Sequence, residues 1–340
     1  MVPLPQVIAS NERIAPTFPH GLVAVFVGGT SGVGEYTLKA FAKYSSKPRV
    51  YFIGRSQEAA DRIIAECKEL NPGGYFEFIK ADVSLLKNVD DVCRQIKAKE
   101  TTINILFQSQ GSMGFEATTS EGLPLAAGLI MHSRTRFIIN LLPLLQKASF
   151  LRRVVSVLAA TCEGPIDTGN IPGKGFALIK WRNQAASVQT LLLEEAARRA
   201  PDVSFVHDAP GVVKGGISRD AQGIRMAITL AISSLLRPLI ETPPAECGQY
   251  HLFFATSARF TPREGAVDAT GVPLEEGLDV AKGSDGQAGS GIYTIDNRGE
   301  SAPPKVYQLL AEMRENGTAE KVWDYVSADF KRITGTEFAL

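Results

Sequence analysis

The stretch LVAVFVGGTSGVGEYTLKAF, residues 22–41, decides the fold. It opens with an apolar, β-branched run, breaks into glycines at Gly28, Gly32 and Gly34, and continues as a helical pattern through Leu38 and Phe41. A strand, a glycine turn and a helix in that order head a βαβ unit. Glycines let a backbone approach a diphosphate closely, and the helix N-terminus offers unpaired N–H groups and the positive dipole end. Thr30, Ser31 and Val33 fill the loop between these glycines. A glycine string alone is weak evidence; its place between a strand and a helix gives it weight.

The same alternation continues outward. Apolar runs at 49–54, 75–83, 103–111, 152–160, 203–211 and 291–296 read as strands, and helical patterns fall between the earlier ones. Continuous apolar runs belong to strands covered on both faces, and alternating strands and helices make a doubly wound parallel α/β sheet of Rossmann type. Helices are expected near 123–147 and 177–200. The second carries a stripe of Leu178, Trp181, Ala185, Val188 and Leu192 that is expected to pack on the sheet. A further stripe runs through Val322, Val326, Phe330 and Ile333. The organisation expected is a Pro-rich arm over 1–20, one domain over 21–300 with a lid region at 214–245, and a C-terminal helical extension of that domain over 301–340. The glycine-rich segment 281–291 reads as a loop, because sheet-like sequence follows it.

The chain has 340 residues, 36 basic and 36 acidic, with 44% hydrophobic residues. That balance is ordinary for a globular protein and gives no basic stripe for nucleic acid. Cys67, Cys93, Cys162 and Cys247 are scattered without metal-ligand spacing. Reduced thiols and the lack of a signal-like N-terminus point to a cytoplasmic protein. The most apolar later run, Met226 to Leu236, is too short for a membrane span and is expected to be a buried or lid helix.

The second strand ends in Gly54, Arg55 and Ser56. An NAD-preferring site carries an acid near that place for the ribose hydroxyls. Arg55 can instead pair with a 2′-phosphate, so NADP(H) is the expected cofactor.

With these residues in view, the chain resembles the short-chain dehydrogenase/reductase superfamily over roughly 20–335. The glycine motif at 28–34, Asp82 in ADV (81–83), QSQG at 108–111 and PGVV at 210–213 carry the resemblance. LLPLL, RVVSVLAA, AECGQYHLFFATS and GSGIYTID are similar to fungal reductase-like members, many of them in secondary-metabolite pathways. The resemblance implies that Asp82 and Val83 hold the adenine end, that Ser109 and Gly111 flank the cofactor, and that Pro210, Gly211 and Val213 stand beside the nicotinamide. It also implies homo-oligomers as the common assembly.

Members of that superfamily usually work with Asn, Ser, Tyr and Lys. Counting back from Pro143 places Ile130 at the asparagine, and His132 two residues on points elsewhere. The serine position falls on Ala159 or Leu158, with Thr161 and Cys162 as the nearest groups bearing a polar hydrogen. In GKGFALIK (173–180), Phe176 takes the tyrosine position and Lys180 the lysine position, and no tyrosine occurs between Tyr75 and Tyr250. Gly215 replaces the threonine expected at the carboxamide. Lys180, Thr161 and Cys162 are therefore the candidate proton-handling residues. Three readings stand: an NADP(H)-dependent oxidoreductase with an altered proton relay, a non-redox cyclase, isomerase or dehydratase, and a non-catalytic NADP-binding protein. The expected pocket walls at 112–124, 160–176 and 214–245 are apolar, so a hydrophobic small molecule is the expected partner.

Overall fold

The computed structural model describes residues 1–220 and 241–336. Seven parallel strands form one sheet in the order β3-β2-β1-β4-β5-β6-β7. They are β1 (Val23–Val27), β2 (Arg49–Gly54), β3 (Tyr75–Lys80), β4 (Ile105–Gln108), β5 (Arg153–Val157), β6 (Ser204–Asp208) and β7 (Ile292–Ile295). Every residue of β1, β4, β5, β6 and β7 is buried, as expected of strands covered on both faces. Strand order reverses between β1 and β4, which opens a crevice at their carboxyl ends. Register aligns those ends: Val27 lies opposite Ile53 on one side and Gln108 on the other.

One face of the sheet is covered by α3 (Gly32–Tyr44), α4 (Gln57–Leu70) and α9 (Pro244–Thr256). The Ser56 hydroxyl caps α4 by accepting the Ala59 N–H. The other face carries α5 (Leu86–Lys97), α7 (Arg134–Gln146) and α8 (Leu178–Arg199). A short α6 (Leu125–Ala127) and a π-helical turn, Gly128–Ser133, run directly into α7.

Two local expectations change. The arm expected over 1–20 is helical: α1 (Leu4–Glu12) and α2 (Ile14–Thr17) occupy it, and Val7 and Ile14 join the α3/α9 core. Pro5 sits in the first turn of α1, where a missing N–H costs nothing. The stripe on α8 does not lie mainly on the sheet. Trp181, Ala185, Val188 and Leu192 form a separate core with α10 (Pro304–Glu315) and α11 (Thr318–Thr334), while Leu193 and Ala196 meet the sheet. Val322, Val326 and Phe330 supply the other side of that core. Finally, Met226 to Leu236 and most of the expected lid lie outside the described residues.

Candidate functional site

A cleft of about 460 Å³ runs along the carboxyl ends of β1, β2, β4, β5 and β6. The end of the cleft at the glycine loop is built from backbone in close contact. Gly28 has φ +85°, and a Cβ there would lie 2.7 Å from the Gln110 nitrogen. A Cβ on Gly34 would lie 2.5 Å from the Gly28 carbonyl oxygen, so Gly34 serves helix packing and does not line the cleft. Gly32 opens α3 with φ +59°, and the Ser31 side chain leaves the first-turn N–H groups uncapped. Gly28, Thr30, Ser31, Gly32 and Val33 all line the cleft. The segment after β6 folds back over this loop: a Cβ on Gly32 would meet Gly215 Cα at 3.1 Å, and Tyr36 Oη donates to the Lys214 carbonyl oxygen.

The end of the cleft beyond β2 is lined by Arg55, Asp82 and Val83. One Asp82 carboxylate oxygen accepts the Ser84 N–H, which fixes its orientation. Arg55 is 57% exposed, and its guanidinium lies 3.6 Å from the Asp220 carboxylate. Ser109, Gly111, Pro210, Gly211 and Val213 line the middle. This cradle fits a dinucleotide: bare backbone and uncapped N–H groups for the diphosphate, an oriented carboxylate for adenine, and a cation at the mouth.

The reacting end is mostly apolar. Leu125, Leu129, Ile130, Val157 and Leu158 form its walls. Ile130 lies in the π-helical turn, so the place of the expected asparagine faces the cleft without a polar group. The polar side chains here are Arg134 and Gln110, which the sequence reading did not single out. Arg134 is 1% exposed. It donates to the Ser156 hydroxyl at 2.8 Å and the Gln110 carbonyl oxygen at 2.6 Å, while its Nε–H has no acceptor. Burial lowers its pKa to about 9, so it stays a cation at neutral pH. Behind it, across the sheet, Asp208 is fully buried, and burial raises its carboxyl well above the ordinary value.

The remaining expected residues stand apart from this lining. Phe176 precedes α8, whose N-cap is Ala177, so Phe176 and Lys180 do not share a helical face. Instead the Lys180 ammonium sits over the Phe176 ring, 3.7 Å from its centroid, and Lys180 is exposed. The Thr161 N–H donates to Thr294 Oγ1 on β7, which turns residues 159–162 toward that edge of the sheet. Ala159, Thr161, Cys162, Phe176 and Lys180 are absent from the cleft lining among the described residues. His132 is buried, with Nε2 2.9 Å from the Asp329 carboxylate on α11, and it too stands off the cleft. Cys67, Cys93 and Cys247 are buried and Cys162 is half-buried, all as free thiols. Among the described residues, no cluster could hold a metal ion, and no helix is long and apolar enough to cross a membrane.

Comparison with known proteins agrees with this geometry. The family model described as short chain dehydrogenase matches residues 22–123. Oxidoreductase AN1596 of Emericella nidulans is 38% identical over 96% of this chain and 98% of its own. Short-chain dehydrogenase/reductase SAT2 of Stachybotrys chartarum is 32% identical over 90% of this chain and 92% of its own. In fold, the chain is similar to L-sorbose reductase from Gluconobacter frateurii in complex with NADPH and L-sorbose, with a TM-score of 0.53 at 16% identity, covering 70% of this chain and 90% of that one. With near-full-length relatives above 30% identity, a parallel seven-stranded sheet and a glycine-built nucleotide cradle, the chain belongs to the short-chain dehydrogenase/reductase family.

Proposed function

We propose that the chain is an NADP(H)-dependent oxidoreductase acting on a hydrophobic small molecule in secondary-metabolite biosynthesis. The observation that carries the cofactor choice is Arg55, which directly follows β2 at the mouth of the cleft, where an acid would favour NAD. Asp220 is its neighbour and competes with a 2′-phosphate for the guanidinium. The apolar walls at the reacting end support a hydrophobic substrate.

A reduced nicotinamide cofactor would supply a hydride. The chain's own residues would bind and orient it: Gly28 to Gly32 would hold the diphosphate, Asp82 the adenine, Arg55 the 2′-phosphate, and Pro210 to Val213 the nicotinamide side. Thr161, Cys162 and Lys180 do not line the cleft among the described residues, so they are candidates for proton transfer only if their segments move. Water or the substrate is the alternative proton source.

Ile130, Ala159 and Phe176 supply no polar hydrogen in the positions where the family usually has one, and this favours a second reading, a non-redox cyclase, isomerase or dehydratase on the same scaffold. The test begins with calorimetry of both nucleotides. Arg55→Ala should lower NADP affinity roughly ten- to a hundredfold, as expected for loss of a charge-assisted bond of about 1.5–3 kcal/mol, and should leave NAD affinity unchanged. Equal losses would overturn the cofactor assignment. Loss of absorbance at the reduced nicotinamide band with a carbonyl panel then separates hydride transfer from mass-neutral conversion.

A further inference from the structure

Arg134 is the one buried charge at the reacting end of the cleft among the described residues. A guanidinium has five N–H donors. Two bonds are made, both to neutral oxygens, on Ser156 and Gln110. No carboxylate lies within ion-pair distance of it among the described residues. Asp208, the acid that acts on it through space, is fully buried and makes no hydrogen bond to it, and burial pushes its carboxyl well above the ordinary value. Gln110 beside it is 6% exposed, lines the cleft, and has neither its amide oxygen nor its amide nitrogen bonded. Buried polar groups are ordinarily satisfied, and a buried cation without a counter-charge is costly. Two such groups side by side in the lining of one cleft mark a place where a ligand can supply a missing acceptor.

The position is specific. A Cβ placed on Gly111 would lie 3.9 Å from Arg134 Nη2 and 3.9 Å from Ile217 Cδ1. Arg134 therefore stands at the cleft wall between β4's loop and the segment that covers the cleft. Of the hydroxyls here, Ser156 already accepts from Arg134 and Ser109 turns to the Val27 and Gly28 carbonyl oxygens; Leu129, Ile130, Val157, Leu158 and Ile217 are aliphatic members of the same cleft lining. Such a site stabilises a negative oxygen well and delivers a proton to it poorly.

We propose that Arg134, with Gln110 beside it, anchors a substrate oxygen that becomes an enolate, so that the chain reduces conjugated enones in preference to isolated ketones. This rests on the NADP(H) reading above. The hydride adds to the β-carbon of the enone. The carbon–carbon π pair shifts toward the carbonyl, and the carbonyl π pair comes to rest on oxygen opposite the guanidinium. Water then returns a proton to the α-carbon, the oxygen reforms its double bond, and the product is the saturated ketone with oxidised cofactor. Reduction of an isolated ketone would leave an alkoxide, which needs a proton at once. An enolate is far less basic, and a fixed cation is sufficient to hold it. The tyrosine and serine positions can then be lost without loss of turnover.

The test needs no known substrate. p-Nitrophenol is a planar enolate mimic whose ionised form absorbs in the visible. It is titrated into the chain saturated with NADP⁺ over a range of pH. Binding should lower the phenol's apparent pKa by about one unit or more, a tenfold preference for the anion. Arg134→Met should abolish that shift, and Arg134→Lys should keep part of it, with NADP⁺ affinity unchanged in both. A bound pKa at or above that of free phenol, no binding to the loaded chain, or the same shift in Arg134→Met overturns the proposal. If Arg134→Met does not fold, the wild-type titration and Arg134→Lys decide it. Failure of NADP⁺ to bind the wild type would instead overturn the cofactor reading, so the two outcomes are distinct. With NADPH, 2-cyclohexen-1-one should be turned over and cyclohexanone should not.

Discussion

At the diphosphate end of the cleft, backbone touches backbone: Gly28 lies against Gln110 and Gly32 against Gly215, with no side chain between them. At the other end a full-sized guanidinium is packed among aliphatic side chains with two neutral acceptors. The first end is specified by the absence of side chains, the second by one unsatisfied charge. A site of the first kind accepts a ligand whose shape is fixed. A site of the second kind selects by charge development, and its residues can be exchanged while the fold is kept.

Gly28→Val should have the largest effect. It forces a branched Cβ toward the Gln110 nitrogen and a positive φ on a β-branched residue. NADP(H) affinity should fall by more than about a hundredfold, roughly 2.7 kcal/mol. Gly21→Ala is the control, since Gly21 has φ +86° with nothing within 4 Å of a Cβ. It should cost stability, about 1–2 kcal/mol, and leave affinity alone. Equal affinity losses in both variants would mean that the glycines act through strain and not through close approach.

An intermediate effect is expected behind the reacting end. Asp208 Oδ2 lies 3.2 Å from His251 Nε2, and neither atom has another partner. His251 Nδ1 is 2.7 Å from the Cys247 carbonyl oxygen, so its hydrogen belongs there and Nε2 is left to accept. Burial lowers His251 to about 4 and raises Asp208 well above 3.8. The Asp208 carboxyl therefore binds its proton more tightly in the folded chain than in the unfolded chain, which releases it above about pH 3.8. Stability linked to this group is full below that pH and declines as pH rises toward the folded value. Asp208→Asn keeps a donor for His251 without that penalty. It should raise the melting temperature by several degrees at pH 8, on a scale of about 2–4 °C per kcal/mol, and the gain should vanish toward pH 4. A lower melting temperature at pH 8 would show that Asp208 is ionised and neutralises Arg134, which removes the contrast between the two ends.

The smallest effect is expected where the family motif would put the most chemistry. Phe176→Tyr combined with Ala159→Ser restores two hydroxyls, yet neither position lines the cleft. NADPH-dependent reduction of a reactive ketone should stay at the wild-type rate. A rise on the order of 10²–10⁴-fold, typical of a positioned general acid, would show that 159–180 swings inward during turnover.

The diphosphate end was legible because its signal is local. The glycines and the strand before them lie within one stretch, and only a tight backbone turn uses such residues in that order. Continuous apolar runs likewise gave all seven strands. The reacting end was not legible for two reasons. A single arginine on a helix reads as a surface residue. The π-helical turn at Gly128–Ser133 also resets the helical register just before Arg134, so spacing counted from Pro143 does not tell which side chains face inward. The stripe on α8 shows the limit of periodicity. Leu178 to Leu192 predicts a buried face, but the partner is α10 and α11, which no spacing within α8 can reveal. The prolines of 1–20 marked an arm without showing its helices, because Pro5 sits in the first turn of α1, where it is tolerated.

The contact between His132 and Asp329 has a consequence for the order in which the protein is made. The two residues are 197 positions apart, and the bond ties the π-helical turn to the last described helix. At about 5–20 residues per second, the ribosome needs roughly 10–40 s to pass from one to the other. Strands β1, β2 and β4 with their glycine loop have emerged long before then. A nascent chain can therefore carry a finished cradle for the diphosphate while the floor beneath the substrate is still unbraced. Cofactor present during synthesis would meet its half of the site first and could hold it until the far end arrives.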